Sequence, residues 1–179
     1  MSWNVVVIGL GPGGSAAALA AAKSGLNVLG VEKRAEIGAP KRCAEGLSRT
    51  ALERMQIKLP KNCISAEIDS VRIYAPNGKY LHLDFDRTEG WILERKVFDK
   101  YLASEAAKAG AKLYAKTEAV DIRYANGKIE VLTKGQINGW QEADIVIAAD
   151  GVESTIARRL GLNTTNKLCD ICSCAQFEM

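Results

Sequence analysis

The chain opens with a run of apolar residues that does not alternate with polar ones. Val5-Val6-Val7-Ile8 is β-branched throughout, which is typical of a parallel strand covered on both faces. A glycine-rich turn follows, and then an alanine-rich segment over 15–24 that predicts a helix ending at Gly25. Residues 27–31 are mostly apolar after Asn27 and predict a second strand that ends at Glu32. The start of the chain therefore predicts one βαβ unit.

Beyond Glu32 the pattern changes between alternation and helical spacing. The predicted elements are an ordered loop over 33–48, a helix from Ser48 to Met55, a hairpin over 66–85 around Pro76-Asn77-Gly78-Lys79, a strand over 91–93, a helix over 96–109, a strand over 112–115, a hairpin of 119–124 and 128–133 around Asn126-Gly127, a strand near Trp140, a buried strand over 143–149, a helix over 153–160 and a strand over 170–179. This order predicts an α/β fold with a doubly wound sheet and a β-meander.

Composition places the chain among ordinary globular proteins. Of its 179 residues, 47% are hydrophobic and 25% are charged, which excludes a disordered or fibrous chain. The net charge of +3 is scattered along the chain, so we expect no nucleic-acid partner. Five cysteines cannot all pair internally, and the start lacks a secretory signal, which favours a reducing, cytoplasmic location. Glycines interrupt the apolar stretch from Val5 to Ala22, so it does not predict a transmembrane helix.

The turn between the first strand and helix has the spacing of a dinucleotide-binding motif. Gly9 permits the tight turn, Gly11 lets the backbone approach a pyrophosphate, and Gly14 permits close packing of helix on strand. The helix start near Gly13 offers N–H donors and a partial positive charge to phosphates. Glu32 ends the next strand, where its carboxylate accepts hydrogen bonds from ribose hydroxyls and repels a 2′-phosphate. The motif leaves NAD and FAD open.

Three later segments resemble the FAD-binding fold shared by the aromatic hydroxylases and the geranylgeranyl reductases. They are Gly90-Trp91-Ile92-Leu93-Glu94-Arg95, the meander near Ala119, and Ala149-Asp150-Gly151. The resemblance implies that Arg95 pairs with the phosphates of FAD, that the backbone near Ala119 contacts the adenine, and that Asp150 and Gly151 close over the cofactor.

A fourth segment resembles the archaeal digeranylgeranylglycerophospholipid reductases and related prenyl reductases most closely. It runs from Val31-Glu32-Lys33-Arg34 to Arg42-Cys43-Ala44-Glu45-Gly46-Leu47-Ser48. The resemblance places Cys43, Ala44 and Gly46 beside the flavin, with Cys43 as a candidate catalytic residue; the alternative is a buried cysteine without a chemical role. The full set of predicted cofactor-binding residues is Gly9, Gly11, Pro12, Gly13, Gly14, Glu32, Lys33, Arg42, Cys43, Ala44, Gly46, Arg95, Ala119, Asp150 and Gly151. A basic cluster that includes Lys33 and Arg42 either assists a diphosphate or lipid head group or is solvated surface.

The resemblance also implies a domain division. Residues 1–168 form an FAD-binding domain of Rossmann-like fold, with a hairpin insertion at 66–93 directed toward a substrate domain. Residues 169–179 form the first strand of that mixed α+β domain. The second flavin motif of the family, a Gly-Asp pair, is absent from the sequence. We therefore expect an N-terminal half with weakened FAD affinity and no turnover by itself.

The implied activity is FAD-dependent reduction of geranylgeranyl double bonds in archaeal-type lipid precursors. Its partners are a prenylated lipid substrate and an external electron donor, either reduced nicotinamide or ferredoxin, with possible contact to the cytoplasmic membrane face. Two alternatives stay open: an FAD-dependent monooxygenase of the aromatic-hydroxylase type, and a non-catalytic nucleotide-binding half protein. The pattern Cys169-x-x-Cys172-x-Cys174 lacks a second Cys-x-x-Cys pair, so we expect buried strand cysteines and no metal site.

Overall fold

A computed structural model describes residues 2–41, 43–55 and 57–175. Its regular elements are β1 (Ser2–Ile8), α1 (Pro12–Lys23), β2 (Val28–Val31), β3 (Gly46–Ser48), α2 (Arg49–Met55), β4 (Ile64–Ile68), β5 (Ser70–Tyr74), β6 (Tyr80–Asp84), β7 (Gly90–Leu93), α3 (Arg95–Lys108), β8 (Lys112–Tyr114), β9 (Thr117–Ala125), β10 (Lys128–Gly135), β11 (Gly139–Ala148) and α4 (Thr155–Arg159). Short 3-10 helices span Lys61–Cys63 and Leu168–Asp170. The predicted α/β fold is confirmed.

The described residues divide into two compact units. The first comprises the chain up to Ala39 and again from Asp99 onward, and the second is Pro40–Phe98. The first unit is built on one six-stranded sheet with the order β8-β2-β1-β11-β10-β9. Strands β8, β2, β1 and β11 run parallel to one another, whereas β10 and β9 continue the sheet antiparallel. The predicted βαβ unit and meander thus belong to the same sheet.

One predicted boundary is wrong. A strand near Trp140 and a separate buried strand over 143–149 were expected, but β11 runs without a break from Gly139 to Ala148. Its first half pairs antiparallel with β10, through Thr133 opposite Gly139, and it also pairs in parallel with β1 over most of its length. One strand therefore joins the meander to the parallel part of the sheet.

Two apolar clusters hold this sheet. The first includes Val6, Leu29 and Val131, all fully buried, and packs against α4 through Ile156. The second includes Val7 and Val28 and packs against the alanines of α1 and α3. Small alanine side chains let these helices lie close to the sheet, and burial of both faces explains the unbroken apolar run of β1.

The second unit contains two small antiparallel sheets. One has the order β3-β7-β4, and the other is a ribbon formed by β5 and β6 alone. The short strand β3 lies inside the region that was predicted as a loop. The Ser48 hydroxyl accepts the Ala51 N–H at 3.2 Å, which confirms the predicted start of α2. Cys63 and Leu93 are buried in this unit.

The ribbon confirms the predicted hairpin around Pro76-Asn77-Gly78-Lys79 but begins later than predicted, because residues 66–68 belong to β4, which pairs with β7. Val71 pairs with Leu83 and Ile73 with Leu81, so these four apolar side chains share one face. They are 39–56% exposed. The opposite face carries Tyr74 and Tyr80, whose ring centroids lie 5.2 Å apart, with Arg72 over the Tyr80 ring. Among the residues described, this is the largest run of exposed apolar positions in the second unit.

The last part of the chain differs from the prediction. Residues 171–175 contain no strand, and 176–179 lie outside the described residues. Cys169, Cys172 and Cys174 are exposed, so their predicted burial is wrong. The prediction failed because apolar residues in a short segment are buried only where another surface of the protein covers them, and the segment itself does not show whether such a surface exists. In the described part of the chain, no helix combines the length and apolar character needed to cross a membrane.

Candidate cofactor-binding site

The glycine turn after β1 is fixed by close backbone packing. Gly9 has φ +90, and a Cβ there would lie 2.4 Å from the Ala149 carbonyl oxygen. A Cβ on Gly14 would lie 1.8 Å from the Gly9 carbonyl oxygen. Both positions therefore exclude any side chain, for reasons internal to the fold. This confirms the close approach of helix and strand predicted for Gly14.

The start of α1 is open to a ligand. Gly11 is the N-cap residue, Pro12 occupies the first helical position, and no described side chain caps this end. The first N–H groups of a helix have no intrahelical acceptor, so those of Gly13 and Gly14 are available to an anion. No heavy atom lies within 4 Å of a Cβ built on Gly11 or Gly13. The geometry leaves room for a phosphate where the sequence predicts one.

Glu32 is oriented by backbone donors. Its Oε2 accepts the Leu10 N–H at 3.0 Å, and its Oε1 accepts the Arg34 N–H at 3.0 Å. Neither donor is charged, and Glu32 forms no ion pair with the residues that the structure describes. Leu10 belongs to the glycine turn, so this contact ties the end of β2 to the phosphate side of the site. The carboxylate therefore lies at the predicted place.

The fit to an adenosine diphosphate follows from the donors and acceptors. An anion at the start of α1 meets N–H groups and the positive end of the helix. Each carboxylate oxygen of Glu32 accepts one backbone hydrogen bond and keeps a second lone pair, so ribose hydroxyls still find acceptors. Gly11, directly before α1, has open space where a Cβ would stand. The residues present thus fit the ADP half of a dinucleotide.

The first unit also contains four other residues that were predicted to bind the cofactor, and each has a different environment. Ala119 lies on β9 and packs against the first apolar cluster. The Oδ2 of Asp150 accepts the Ile156 N–H at 2.9 Å and so holds the start of α4, a contact that the sequence did not indicate. Gly151 is exposed with φ +83. Lys33 forms an exposed ion pair with Glu153 at 3.6 Å.

The Cys43 loop belongs to the second unit. Cys43 is half-buried, and its Sγ accepts the Glu45 N–H at 3.3 Å. Ala44 and Gly46 are exposed, and Arg42 lies outside the described residues. Arg95 is half-buried at the start of α3, directly after Glu94. The roles predicted for these residues at the flavin remain predictions.

Sequence reasoning missed the ion pairs around this loop. Lys41 Nζ lies 3.6 Å from Glu45 Oε1 and 3.3 Å from Glu94 Oε2. Glu45 itself has φ 67. Lys41 and Glu45 are four residues apart in a loop, where that spacing predicts no shared face, and Glu94 is remote in sequence. No local signal could have joined the three.

A comparison with known protein families decides the identity of the domain. The model of the FAD-binding domain matches residues 2–173, which is nearly the whole chain. The chain belongs to the FAD-binding domain family. This match confirms FAD as the cofactor and resolves the choice that the glycine motif left open. The Rossmann-like prediction for this FAD-binding domain is confirmed as well.

Curated relatives of the FAD-binding domain are named digeranylgeranylglycerophospholipid reductases. The protein from Methanothrix thermoacetophila is 48% identical over 99% of this chain, and that from Methanocella arvoryzae is 46% identical over 99%. The chain spans 46% of the length of each. The predicted resemblance to this group of proteins is confirmed.

Solved structures give the same fold. A geranylgeranyl bacteriochlorophyll reductase-like protein from Thermoplasma acidophilum superposes with a TM-score of 0.84 and 41% identity, covering 93% of this chain and 44% of that one. A p-nitrophenol 4-monooxygenase from Pseudomonas putida superposes with a TM-score of 0.77 at 20% identity, covering 90% of this chain and 44% of that one. The second likeness shows the fold alone.

Proposed function

We propose that this domain serves an FAD-dependent reductase that saturates geranylgeranyl double bonds in archaeal-type membrane lipid precursors. The observation that carries the proposal is the 48% identity, across 99% of the chain, to a digeranylgeranylglycerophospholipid reductase. The match covers 99% of the chain, so the matched region includes the Glu32 site and the Cys43 loop. The loop is the segment whose residues resemble the prenyl reductases most closely.

Within this proposal, different residues bind different parts of FAD. The start of α1 and Glu32 bind the ADP half of FAD, and Arg42, Cys43, Ala44, Gly46 and Arg95 approach the remainder of the cofactor. Lys33, Ala119, Asp150 and Gly151 complete the binding set. When bound and reduced, FAD would supply a hydride to one alkene carbon while a proton reaches the other, and the chain would hold the cofactor in a site that excludes water. Reduced nicotinamide or ferredoxin supplies the electrons.

We also propose the domain division 1–168 and 169–179, with the hairpin insertion at 66–93 facing a substrate domain. The exposed apolar face of β5 and β6 supports this assignment, because such a face gains stability when another surface covers it. The exposed Leu168 and Ile171 lie at the proposed boundary. Since a prenylated lipid is the proposed substrate, we place the protein at the cytoplasmic membrane face by peripheral contact.

The test is a chimaera in which this chain replaces the matching part of the Methanothrix relative. We expect the purified chimaera to be yellow and, with reduced FAD, to add one hydrogen pair per double bond of a geranylgeranyl phospholipid, detected by mass spectrometry. The same chimaera with Glu32→Gln is the matched variant and should lose activity when FAD is limiting.

The contrary result is equally specific. A chimaera that binds FAD but leaves the lipid unchanged, and that consumes oxygen with a phenol and reduced nicotinamide, would establish a monooxygenase instead. A chimaera that folds without binding FAD would refute the cofactor-binding roles given above.

A further inference from the structure

The loop that carries Cys43 is held by a partly buried arrangement of three charged side chains. Lys41 Nζ lies between two carboxylates, 3.6 Å from Glu45 Oε1 and 3.3 Å from Glu94 Oε2. The side chains of Lys41 and Glu45 are 20% and 16% exposed. Charges enclosed to this extent are screened much less by salt than surface ion pairs. These ion pairs therefore restrict the motion of the loop.

Glu45 has a left-handed backbone conformation that is unfavourable for a residue with a side chain. Its φ of 67 falls in the left-handed region, which disfavours residues with a Cβ and usually selects glycine or asparagine. Its Oε1 is buried and has no hydrogen-bond donor among the described residues. The charge of Lys41, 3.6 Å away, offsets part of the cost of enclosing this oxygen. Because strained residues cluster at functional sites, the strain and burial at Glu45 indicate that its position has a functional role.

Glu94 anchors the arrangement to a rigid element. Its Oε1 accepts the Lys96 N–H at 3.3 Å, and its carbonyl oxygen accepts the Phe98 N–H at 2.9 Å. Glu94 thus caps the start of α3, and its orientation is set by that helix. Because Lys41 contacts Oε2 of the same carboxylate, the lysine is held at a defined place.

The backbone of Glu45 forms hydrogen bonds to both Cys43 and β7. Its N–H donates to Cys43 Sγ at 3.3 Å, and its carbonyl oxygen accepts the Leu93 N–H at 2.9 Å. The backbone of Glu45 therefore joins the cysteine on one side to β7 on the other. Because the Glu45 carbonyl is bonded to β7, the φ angle of Glu45 sets where the preceding turn, and with it Cys43, lies relative to that strand.

We propose that Glu45 is a positioning residue for Cys43. Its carboxylate, fixed by Lys41 on Glu94, keeps the backbone in the left-handed conformation, which sets the position of the turn from Cys43 to Glu45, with its N–H to thiol contact, relative to β7. The side chain of Cys43 is thereby held in one orientation before any cofactor binds. The consequence for the reductase rests on the proposed function, in which Cys43 lies beside the flavin.

Thiol alkylation resolved by peptide tests the proposal on the chain without cofactor. Trypsin separates Cys43 (peptide 43–49) from Cys63 (peptide 62–72) and from the three exposed cysteines (peptide 168–179). In Glu45→Gln and in Lys41→Met we expect Cys43 to react several-fold faster, since the half-buried thiol is no longer held. Glu53→Gln, which changes an exposed acid of α2, is the control and should leave the rate unchanged.

Cys63 reports whether the unit stays folded, because it is buried and its burial raises the pKa of its thiol, which slows alkylation. If Cys63 also reacts faster in Glu45→Gln, the milder Glu94→Gln decides, and it should accelerate Cys43 alone. Equal Cys43 rates in the wild type and in the variants that keep Cys63 protected would overturn the proposal.

A second arm separates this inference from the proposed function. Saturating FAD should slow alkylation of Cys43 in the wild type, and Glu45→Gln should weaken that protection and alter the visible spectrum of the flavin. Protection that is identical in both proteins refutes the positioning role but leaves the flavin assignment intact. Faster alkylation of Cys43 in the variant, with no protection by FAD in either protein, upholds the positioning role and removes Cys43 from the flavin site.

Discussion

The carboxylate of Glu32 has a structural task before any ligand binds. It accepts the N–H groups of Leu10 and Arg34, both at 3.0 Å, and so fixes its own orientation. The sequence predicted its place, because an acid at the end of the second strand of a βαβ unit reaches the glycine turn. It could not predict the two backbone partners, which depend on how the turn and the following loop fold back toward β2.

Replacing the Glu32 carboxylate tests both its structural role and its predicted role in binding FAD. Glu32→Gln puts an amide donor where one N–H expects an acceptor, which should cost about 1–3 kcal/mol of unfolding free energy in the chain without FAD. The dissociation constant for FAD should rise by roughly tenfold or more, as the loss of a charged hydrogen bond implies. Urea unfolding and a fluorescence titration measure the two effects. Glu118→Gln, on an exposed site of β9, should change neither.

The glycines of the turn are not equivalent. In Gly14→Ala the new methyl group meets the Gly9 carbonyl, a backbone atom that cannot move aside, and we expect about 3 kcal/mol of destabilisation. Gly13→Ala meets nothing within 4 Å and should stay within about 1 kcal/mol of the wild type. Urea unfolding of the two variants without FAD makes the comparison. Equal stability of the two would contradict the packing described for the turn.

At the scale of elements, the hydrophobic pattern located most strands and helices because burial sets their period. The hairpin at Asn126-Gly127 and the helix α3 lie where the residues indicate. The pattern failed at β11, where polar residues between Trp140 and Ala143 suggested an interruption. Those residues remain in the strand because β10 and β1 supply its hydrogen-bond partners on either side. Such partners are remote in sequence and leave no local signal.

The contact between α4 and β9 predicts a dependence of stability on pH. A hydrogen bond from Arg159, with a second from the Ile122 N–H, lowers the pKa of Asp121. A lowered folded-state pKa means that the stabilisation is complete above the ordinary value of about 4 and is lost as pH falls through the lowered value.

Asp121→Asn should therefore be slightly less stable than the wild type near neutral pH and should lose less stability on acidification below about pH 4. The effect is small because the pair is exposed to solvent. Urea midpoints between neutral and acidic pH measure it, with Asp86→Asn as the control. Parallel pH profiles for wild type and Asp121→Asn would exclude the ion pair as a contributor.

At the scale of the whole molecule, the sequence predicted a sheet-based domain, which is confirmed, and a hairpin around Pro76-Asn77-Gly78-Lys79, which the structure forms as β5 and β6. It did not predict where burial ends. Cys172, Cys174 and the apolar face of the ribbon all look like core residues by type, yet all are exposed. Residue type reports a tendency to be buried, whereas burial itself requires a covering surface, and that surface is not encoded in the residues it covers.

The ribbon gives a prediction at this scale. The double variant Ile73→Ser and Leu81→Ser should change the stability of this chain by no more than about 0.5 kcal/mol, because both side chains are exposed. In the chimaera with the Methanothrix relative, the same variant should cost about 2 kcal/mol or more if a substrate domain covers the face. Lys79→Ser, in the ribbon turn, is the control in both proteins. Equal small effects in both would contradict the proposed insertion.

The most direct measurement is a titration of the purified chain with FAD, followed by flavin fluorescence and repeated with Gly11→Ala and Glu32→Gln. Because a Cβ at Gly11 meets no protein atom within 4 Å, Gly11→Ala should fold as the wild type does and still bind FAD at least roughly tenfold more weakly. ADP should compete with FAD in the wild type. Saturable FAD binding that is weakened by both substitutions and displaced by ADP is the predicted result. Binding unaffected by either substitution, or no binding at all, would contradict the assignment of the cofactor to the glycine turn and Glu32.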